Sequence, residues 1–406
     1  MSEPDIGPAE RAAVLAVLDG KTLALGPRLA AFEDRLAARV GARHGIAVNS
    51  GTAALHLCLL AAGVGPEDVV VTTPFSFVAS ANCILYTGAR PLFVDVDPVT
   101  LTLDPERLER AAQTVGRSGR RVKAVLPVHV FGEAADMDAI LAVAERHGLA
   151  VIEDACEAIG GAYKGRPLGT LGDAGAFAFY PNKQMTTGEG GMIVTDDARW
   201  DALARSLRNQ GRDVFDEWLA HTRLGYNYRL DEMSAALGLA QVERLDEILA
   251  KRGRVARWYH ERLDAMEGVA RPRPSAWTTR ESWFVYVVRL ADLATRAHVM
   301  RALAERGIPS RPYFPPIHLQ PFYRADFGFR EGMFPIAEAA GETCLALPFF
   351  GTMTEQQVDT VCGALREVLA AFRPARPGRS RVTAGPTATA TAGASGAAGA
   401  AEAARA

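Results

Sequence analysis

The chain has 406 residues, 49% of them hydrophobic, with 45 basic and 47 acidic side chains and a formal net charge of −2. Such a length can bury a large core and suits one large domain with a smaller one. The near-balanced charge argues against general affinity for nucleic acid or anionic membrane, and no apolar run approaches the roughly 20 residues of a membrane span.

Residues 1–20, "MSEPDIGPAERAAVLAVLDG", are acidic and lack the basic-then-apolar pattern of a secretory signal. Cys58, Cys83, Cys156, Cys344 and Cys362 are scattered and form no CxxC pair, and the histidines show no HExxH spacing. These features read as a cytoplasmic protein with reduced cysteines and no protein-built metal site.

From about residue 45 to 200, short β-rich runs alternate with amphipathic segments. The runs at 68–74, 91–97, 123–132, 149–155, 175–181 and 191–197 are nearly continuously apolar, as expected of strands covered on both faces. Between them, "DMDAILAVAERHG" (136–148) reads as a helix stopped at Gly148. The alternation predicts an α/β domain with a mostly parallel sheet, its ligand beyond the carboxyl ends of the strands. A long helical pattern at 229–263 leads into a second region. There "SWFVYVVRL" (282–290) and helices near 295–306 and 354–372 suggest a smaller α+β domain. The expected division is therefore 1–250, 251–373 and a low-complexity tail, 374–406, expected to be disordered.

Four features fall at predicted strand ends. In "NSGTAALHL" (49–57), a small-residue turn runs straight into a helix, whose exposed N–H groups suit a phosphate. The same residues also read as a plain helix start capped by Ser50 or Thr52. Phe77, beyond the run 68–74, is placed to stack on a flat ring or to join the core. Asp154 closes the run 149–155, and a buried carboxylate there wants a partner. A protonated pyridine nitrogen would serve, as would the N–H groups of a following turn. Glu153 and Glu157 flank it. The fourth feature is Lys183, in "FAFYPNKQMTTGEGG" (177–191).

Only five of the 45 basic residues are lysine. Where charge alone is needed this chain uses arginine, so a lysine in an uncharged, partly apolar stretch suggests amine chemistry, because lysine can lose its proton and attack a carbonyl. The alternative is an ordinary strand-end lysine with its stem packed and its ammonium in water. A phosphate seat, a stacking aromatic, a carboxylate and an amine together are the parts that hold pyridoxal 5'-phosphate. "TTGEGG" lacks the GxGxxG spacing of a dinucleotide site.

The stretches "LALGPRLAAFEDRLA", "VNSGTAALHLCL", "VIEDACEAIGGAYKGRPLGTLGDAGAFAFYPNKQMTTGEGGMIVTDD", "RLGYNYRLDEMSAALGLAQVERL" and "LALPFFGTMTEQQVD" resemble the DegT/DnrJ/EryC1/StrS family of sugar aminotransferases, from about residue 10 to 370. The resemblance implies the type I, aspartate-aminotransferase-like fold of pyridoxal-phosphate enzymes. It implies Lys183 as the Schiff-base lysine, Asp154 as the partner of the pyridine nitrogen, and Gly51, Thr52 and Ala53 as the phosphate-binding turn. Phe77 falls at the position of the stacking aromatic. Asn227, in "GYNYRL", matches a residue that reaches the phosphate of the neighbouring subunit, which implies a homodimer with shared sites. Tyr313 and His318, in "RPYFPPIH", fall where the family approaches its sugar substrate. Two positions depart from the family pattern: Ala178 where many members have Ser, and Glu157, beside the cofactor, where many have His or Gln.

The implied reaction moves an amino group from L-glutamate to a ketosugar. The acceptor is expected to be a 4-keto or 3-keto deoxysugar linked to a nucleoside diphosphate, made for polysaccharide or natural-product synthesis. A cyclitol ketone is an alternative acceptor within the family. A non-catalytic regulator that binds the cofactor would be expected to carry an added DNA-binding domain, for which the N-terminal helix is too short.

Overall fold

The computed structural model describes residues 1–117, 121–213 and 220–372. The expected tail, 374–406, lies outside them. In chain order the strands are β1 (His44–Val48), β2 (Asp68–Thr72), β3 (Arg90–Phe93), β4 (Arg121–Val125), β5 (Ala150–Asp154), β6 (Ala162–Tyr163), β7 (Arg166–Pro167), β8 (Ala174–Ala178), β9 (Gly191–Thr195), β10 (Thr278–Arg280), β11 (Tyr286–Arg289), β12 (Arg311–Pro312) and β13 (Cys344–Leu347).

All six strands expected between residues 68 and 197 form, each shorter than its apolar run. With β1 they build a seven-stranded sheet in the order β1-β9-β8-β5-β4-β2-β3. Pairing is parallel from β8 through β5, β4 and β2 to β3, and β9 runs antiparallel to both of its neighbours. Six strands thus point one way and β9 the other. The sheet is buried on both faces: Phe32, Val71, Val125, Val151 and Phe177 pack on one side, Ile46, Val70, Ala124, Ile152 and Ile193 on the other. This two-sided burial is why the strands read as unbroken apolar runs.

The helix Met137–His147 forms as expected, with Asp136 as its cap and Gly148 in the left-handed conformation at φ 63°. The pattern at 229–263 does not form one helix. Asp231 accepts the N–H groups of Met233 and Ser234 and starts a helix only at Glu232. Arg244 then leaves helical geometry (φ −101°, ψ 6°), its guanidinium bonded to Glu10 and Asp5, so Glu232–Glu243 and Leu245–Leu263 are separate helices.

A second sheet, β11-β13-β12, is antiparallel. It packs through Tyr286, Val288, Leu345 and Leu347 on Val255 and Tyr259 of the helix Leu245–Leu263, and on Val299 and Val358 of Leu293–Glu305 and Glu355–Ala371. The expected boundary at residue 250 falls inside the helix Leu245–Leu263, and residues 1–372 form one unit. No helix among the described residues is long and apolar enough to cross a membrane.

Candidate active site

The carboxyl ends of β1, β5 and β8 converge with the start of the reversed strand β9. After β1, Ser50 caps the helix Gly51–Ala61, its Oγ accepting the N–H of Ala53 at 3.1 Å. The first turn of a helix leaves its N–H groups without carbonyl partners. Ser50 serves Ala53, and those of Gly51 and Thr52 remain for an anion. Gly51 is required by close packing: a Cβ there would lie 2.6 Å from Ala178 Cβ and 2.9 Å from Cys156 Sγ. The helix start therefore rests directly on the end of β8, where Ala178 offers a methyl group and no hydroxyl.

Alternation along β5 separates the acidic cluster that the sequence left ambiguous. Glu153 points to one face and is fully buried. Its carboxylate accepts from the Gly169, Leu171 and Gly172 N–H groups at 2.8, 2.5 and 2.7 Å and meets His129 Nε2 at 2.9 Å. His129 Nδ1 accepts the Ala135 N–H at 3.1 Å, which places the ring proton on Nε2, toward Glu153. Asp154 points to the other face. The Ser80 hydroxyl donates to its Oδ2 at 2.6 Å and the Cys156 N–H to its Oδ1 at 3.2 Å, with Ser76 Oγ 2.8 Å behind Ser80. This carboxylate is 5% exposed.

Lys183 follows β8. Its Nζ lies 3.3 Å from Glu157 Oε1 and 3.8 Å from the ring centroid of Phe284, the second contact favouring a cationic amine. Its side chain is 12% exposed and that of Glu157 8%. The other oxygen of Glu157 accepts the Phe131 N–H at 2.9 Å. Burial raises the Glu157 carboxyl above the ordinary range; the Lys183 charge opposes the rise and Asp154 adds to it. Gln184, next in chain, ties this corner together: its amide donates to the Glu157 carbonyl at 2.6 Å and to Ser282 Oγ at 2.7 Å. Tyr313 packs on Phe131 and Phe284, and its hydroxyl is pushed up to about 12 by burial and the Glu157 charge.

Phe77 is 58% exposed, an aromatic left uncovered in the loop after β2. Asn227 is also exposed. Its backbone bridges to Asn209 and accepts a 3.4 Å bond from Asn49, while Tyr226 and Tyr228, on either side of it, stack on each other with centroids 5.0 Å apart. His318 departs from expectation. It is fully buried, its Nε2 2.9 Å from Glu338 and its ring against Phe334, so it lines no open surface where a sugar could reach it. The adjoining N–H of Ile317 donates to the Pro74 carbonyl at 2.8 Å, so this turn braces the loop that carries Phe77. Sequence reasoning missed Phe284, Ser80 and the Phe131 N–H. Phe284 and Phe131 lie far from Lys183 in the chain, and no local pattern marks them. Ser80 carried a signal, three residues beyond Phe77 in a helix that starts at the same strand mouth.

These residues fit pyridoxal 5'-phosphate. The helix start has free N–H groups, Asp154 has acceptor capacity beyond its single hydroxyl and backbone donors, and a half-enclosed amine stands beyond the next strand. Among the described residues no cluster of three or more His, Cys, Asp or Glu could hold a metal ion. The fold and site are those of a pyridoxal-phosphate-dependent aminotransferase.

A family model, the DegT/DnrJ/EryC1/StrS aminotransferase family, matches residues 4–366. The GDP-perosamine synthase of Caulobacter vibrioides is 42% identical over 372 residues, spanning 91% of this chain and 98% of that protein. Among solved structures, S. venezuelae DesV in complex with a ketimine intermediate aligns at TM-score 0.82 and 36% identity, over 88% of this chain and 93% of that one. The PLP-form of the putative sugar aminotransferase Spr1654 of Streptococcus pneumoniae aligns at TM-score 0.84 and 26% identity, over 90% and 97%. The chain belongs to the DegT/DnrJ/EryC1/StrS aminotransferase family, whose cofactor is pyridoxal 5'-phosphate.

Proposed function

We propose that this enzyme transfers an amino group from L-glutamate to the C4 or C3 ketone of a deoxysugar linked to a nucleoside diphosphate. The observation that carries the substrate class is the 42% identity, over nearly the full length of both chains, to a protein named for a GDP-linked amino sugar. The set Lys183, Asp154 and Gly51–Ala53 at one end of the sheet supports catalysis in place of mere cofactor binding.

When bound, the cofactor supplies an electron sink and carries the amino group between the two half-reactions. The chain's own residues do the rest. Lys183 would hold the cofactor covalently and, once released, would take the proton from the Cα of glutamate and deliver it to the cofactor's imine carbon, acting as base and then acid. Asp154, its geometry fixed by Ser80 and the Cys156 N–H, keeps the ring nitrogen protonated and so preserves the sink. The N–H groups of Gly51 and Thr52 hold the phosphate at the positive end of their helix, with Ala53 closing that turn. Phe77 would cover one ring face. Asn227 would reach the phosphate of a second copy, which makes the working unit of this reading a homodimer. Tyr313, beside Glu157, lines the substrate side. Incubating the purified enzyme with glutamate and a panel of nucleotide-linked ketosugars and cyclitol ketones tests the reading. Glutamate-dependent amination of a nucleotide sugar is expected; turnover confined to cyclitol ketones would contradict it.

A further inference from the structure

Lys183 has an ionisable neighbour that none of these steps employs. Glu157 Oε1 stands 3.3 Å from its Nζ, while Phe284 covers the amine from another side at 3.8 Å. Little of either side chain meets water, so solvent competes weakly for the proton. The second carboxyl oxygen is pinned by the Phe131 N–H at 2.9 Å, which fixes Oε1 toward the lysine.

We propose that Glu157 is the proton partner of Lys183: its carboxylate holds the proton on Nζ and takes it when that nitrogen must bond carbon. An N–H bond breaks at Lys183 as an O–H bond forms at Glu157 Oε1. The ion pair becomes a neutral pair, and no further reactant is needed. The inference rests on Lys183 as the cofactor-linked lysine.

The surroundings suit a proton that moves in either direction. The charged and titratable groups facing Glu157 are Lys183, Asp154, Cys156 and Tyr313. Burial and the Asp154 charge favour its acid form, whereas Lys183 and the Phe131 N–H favour the carboxylate. An enclosed ion pair recovers its desolvation cost only with good geometry and further hydrogen bonds. Glu157 has one such bond beyond the lysine. A neutral pair is therefore a close competitor here, as it would not be at the surface.

The test uses the holoenzyme and Glu157→Gln, which keeps the shape and the acceptor for Phe131 but cannot take a proton. Borohydride reduction and peptide mapping come first. An adduct away from Lys183 overturns the lysine assignment, and an adduct on Lys183 leaves Glu157 as the question. The cofactor absorbance is then titrated with pH in both proteins. The midpoint should fall by at least one pH unit, a tenfold loss of proton affinity, in Glu157→Gln, because the cationic nitrogen loses its counter-charge. An unchanged midpoint overturns the proposal, since a purely structural bridge to Phe131 would survive in glutamine. If the variant does not retain cofactor, Lys183 acylation in cofactor-free protein, followed by mass spectrometry across pH, replaces the titration. A profile displaced by at least one unit toward lower pH supports the proposal, and coincident profiles overturn it.

Discussion

Two buried acid–base pairs lie within a few residues of each other at the end of β5, and they are built differently. Glu153 and His129 are both fully buried, and the Glu153 carboxylate receives three backbone N–H groups besides the imidazole. Nothing is left over for a ligand. Glu157 and Lys183, beyond the strand end, share one longer contact and a single backbone donor. A saturated pair locks a loop, here Gly169–Gly172 against the turn after β4. An under-bonded pair can exchange a proton or accept a ligand at modest cost. The difference assigns structure to one and chemistry to the other, although both are equally acidic in the sequence.

The comparison breaks most sharply at Lys183. Lys183→Ala should reduce transamination by at least about 10³-fold, measured as glutamate-dependent turnover, while its thermal midpoint stays close to wild type. Glu153→Ala should do the reverse. Removing Glu153 leaves three buried backbone N–H groups and the imidazole N–H without an acceptor, each costing about 1–3 kcal/mol, so urea denaturation should show a large loss of stability before any effect on chemistry is read.

A smaller effect is expected at Asn227. Asn227→Ala should weaken cofactor binding by about 1.5–3 kcal/mol, as for one hydrogen bond to a charged group. Because its damage would fall on the partner's site, mixing it with Lys183→Ala under subunit exchange should restore activity to about a quarter of wild type, half of the dimers being mixed and half of their sites intact. Exchange without recovery would place Asn227 in its own chain's site.

The smallest effect concerns His56, which lies beneath Tyr226 and Tyr228 with its Nδ1 3.3 Å from the Tyr228 hydroxyl. Burial lowers its pKa from 6.5 to about 4. The unfolded imidazole takes up a proton below pH 6.5 and the folded one only near pH 4. Its contribution is thus present above pH 6.5 and is lost as the pH falls through that window. His56→Asn should flatten the pH dependence of the melting temperature between pH 6.5 and 4.

Much of the fold was legible because a sheet buried on both faces writes itself as apolar runs, as at "VVVT" and "AVIED". The strand β1, "HGIAV", was missed. The break at Arg244 was missed because the helical period continues across it, and the guanidinium that leaves the helix bonds to residues at the far N-terminus. At the site, lysine rarity and strand-end positions pointed to Lys183 and Asp154. Spacing alone could not show the surroundings of Glu153 and Asp154; the alternation of β5 sends them to opposite faces, and the three N–H groups after Pro167 saturate Glu153. The burial of His318 was not legible, because a motif position says nothing about it. Phe284 was invisible because a contact across the fold leaves no mark beside the lysine.

The account depends first on which lysine carries the cofactor. Borohydride reduction of the holoenzyme, proteolysis and mass mapping measure this directly. The adduct should fall on Lys183, half-enclosed between Glu157 and Phe284. Lys164, at the tip of the β6–β7 hairpin, has a 54% exposed side chain, is paired with Asp138 at 2.7 Å and should remain unmodified. An adduct on Lys164 would contradict the site.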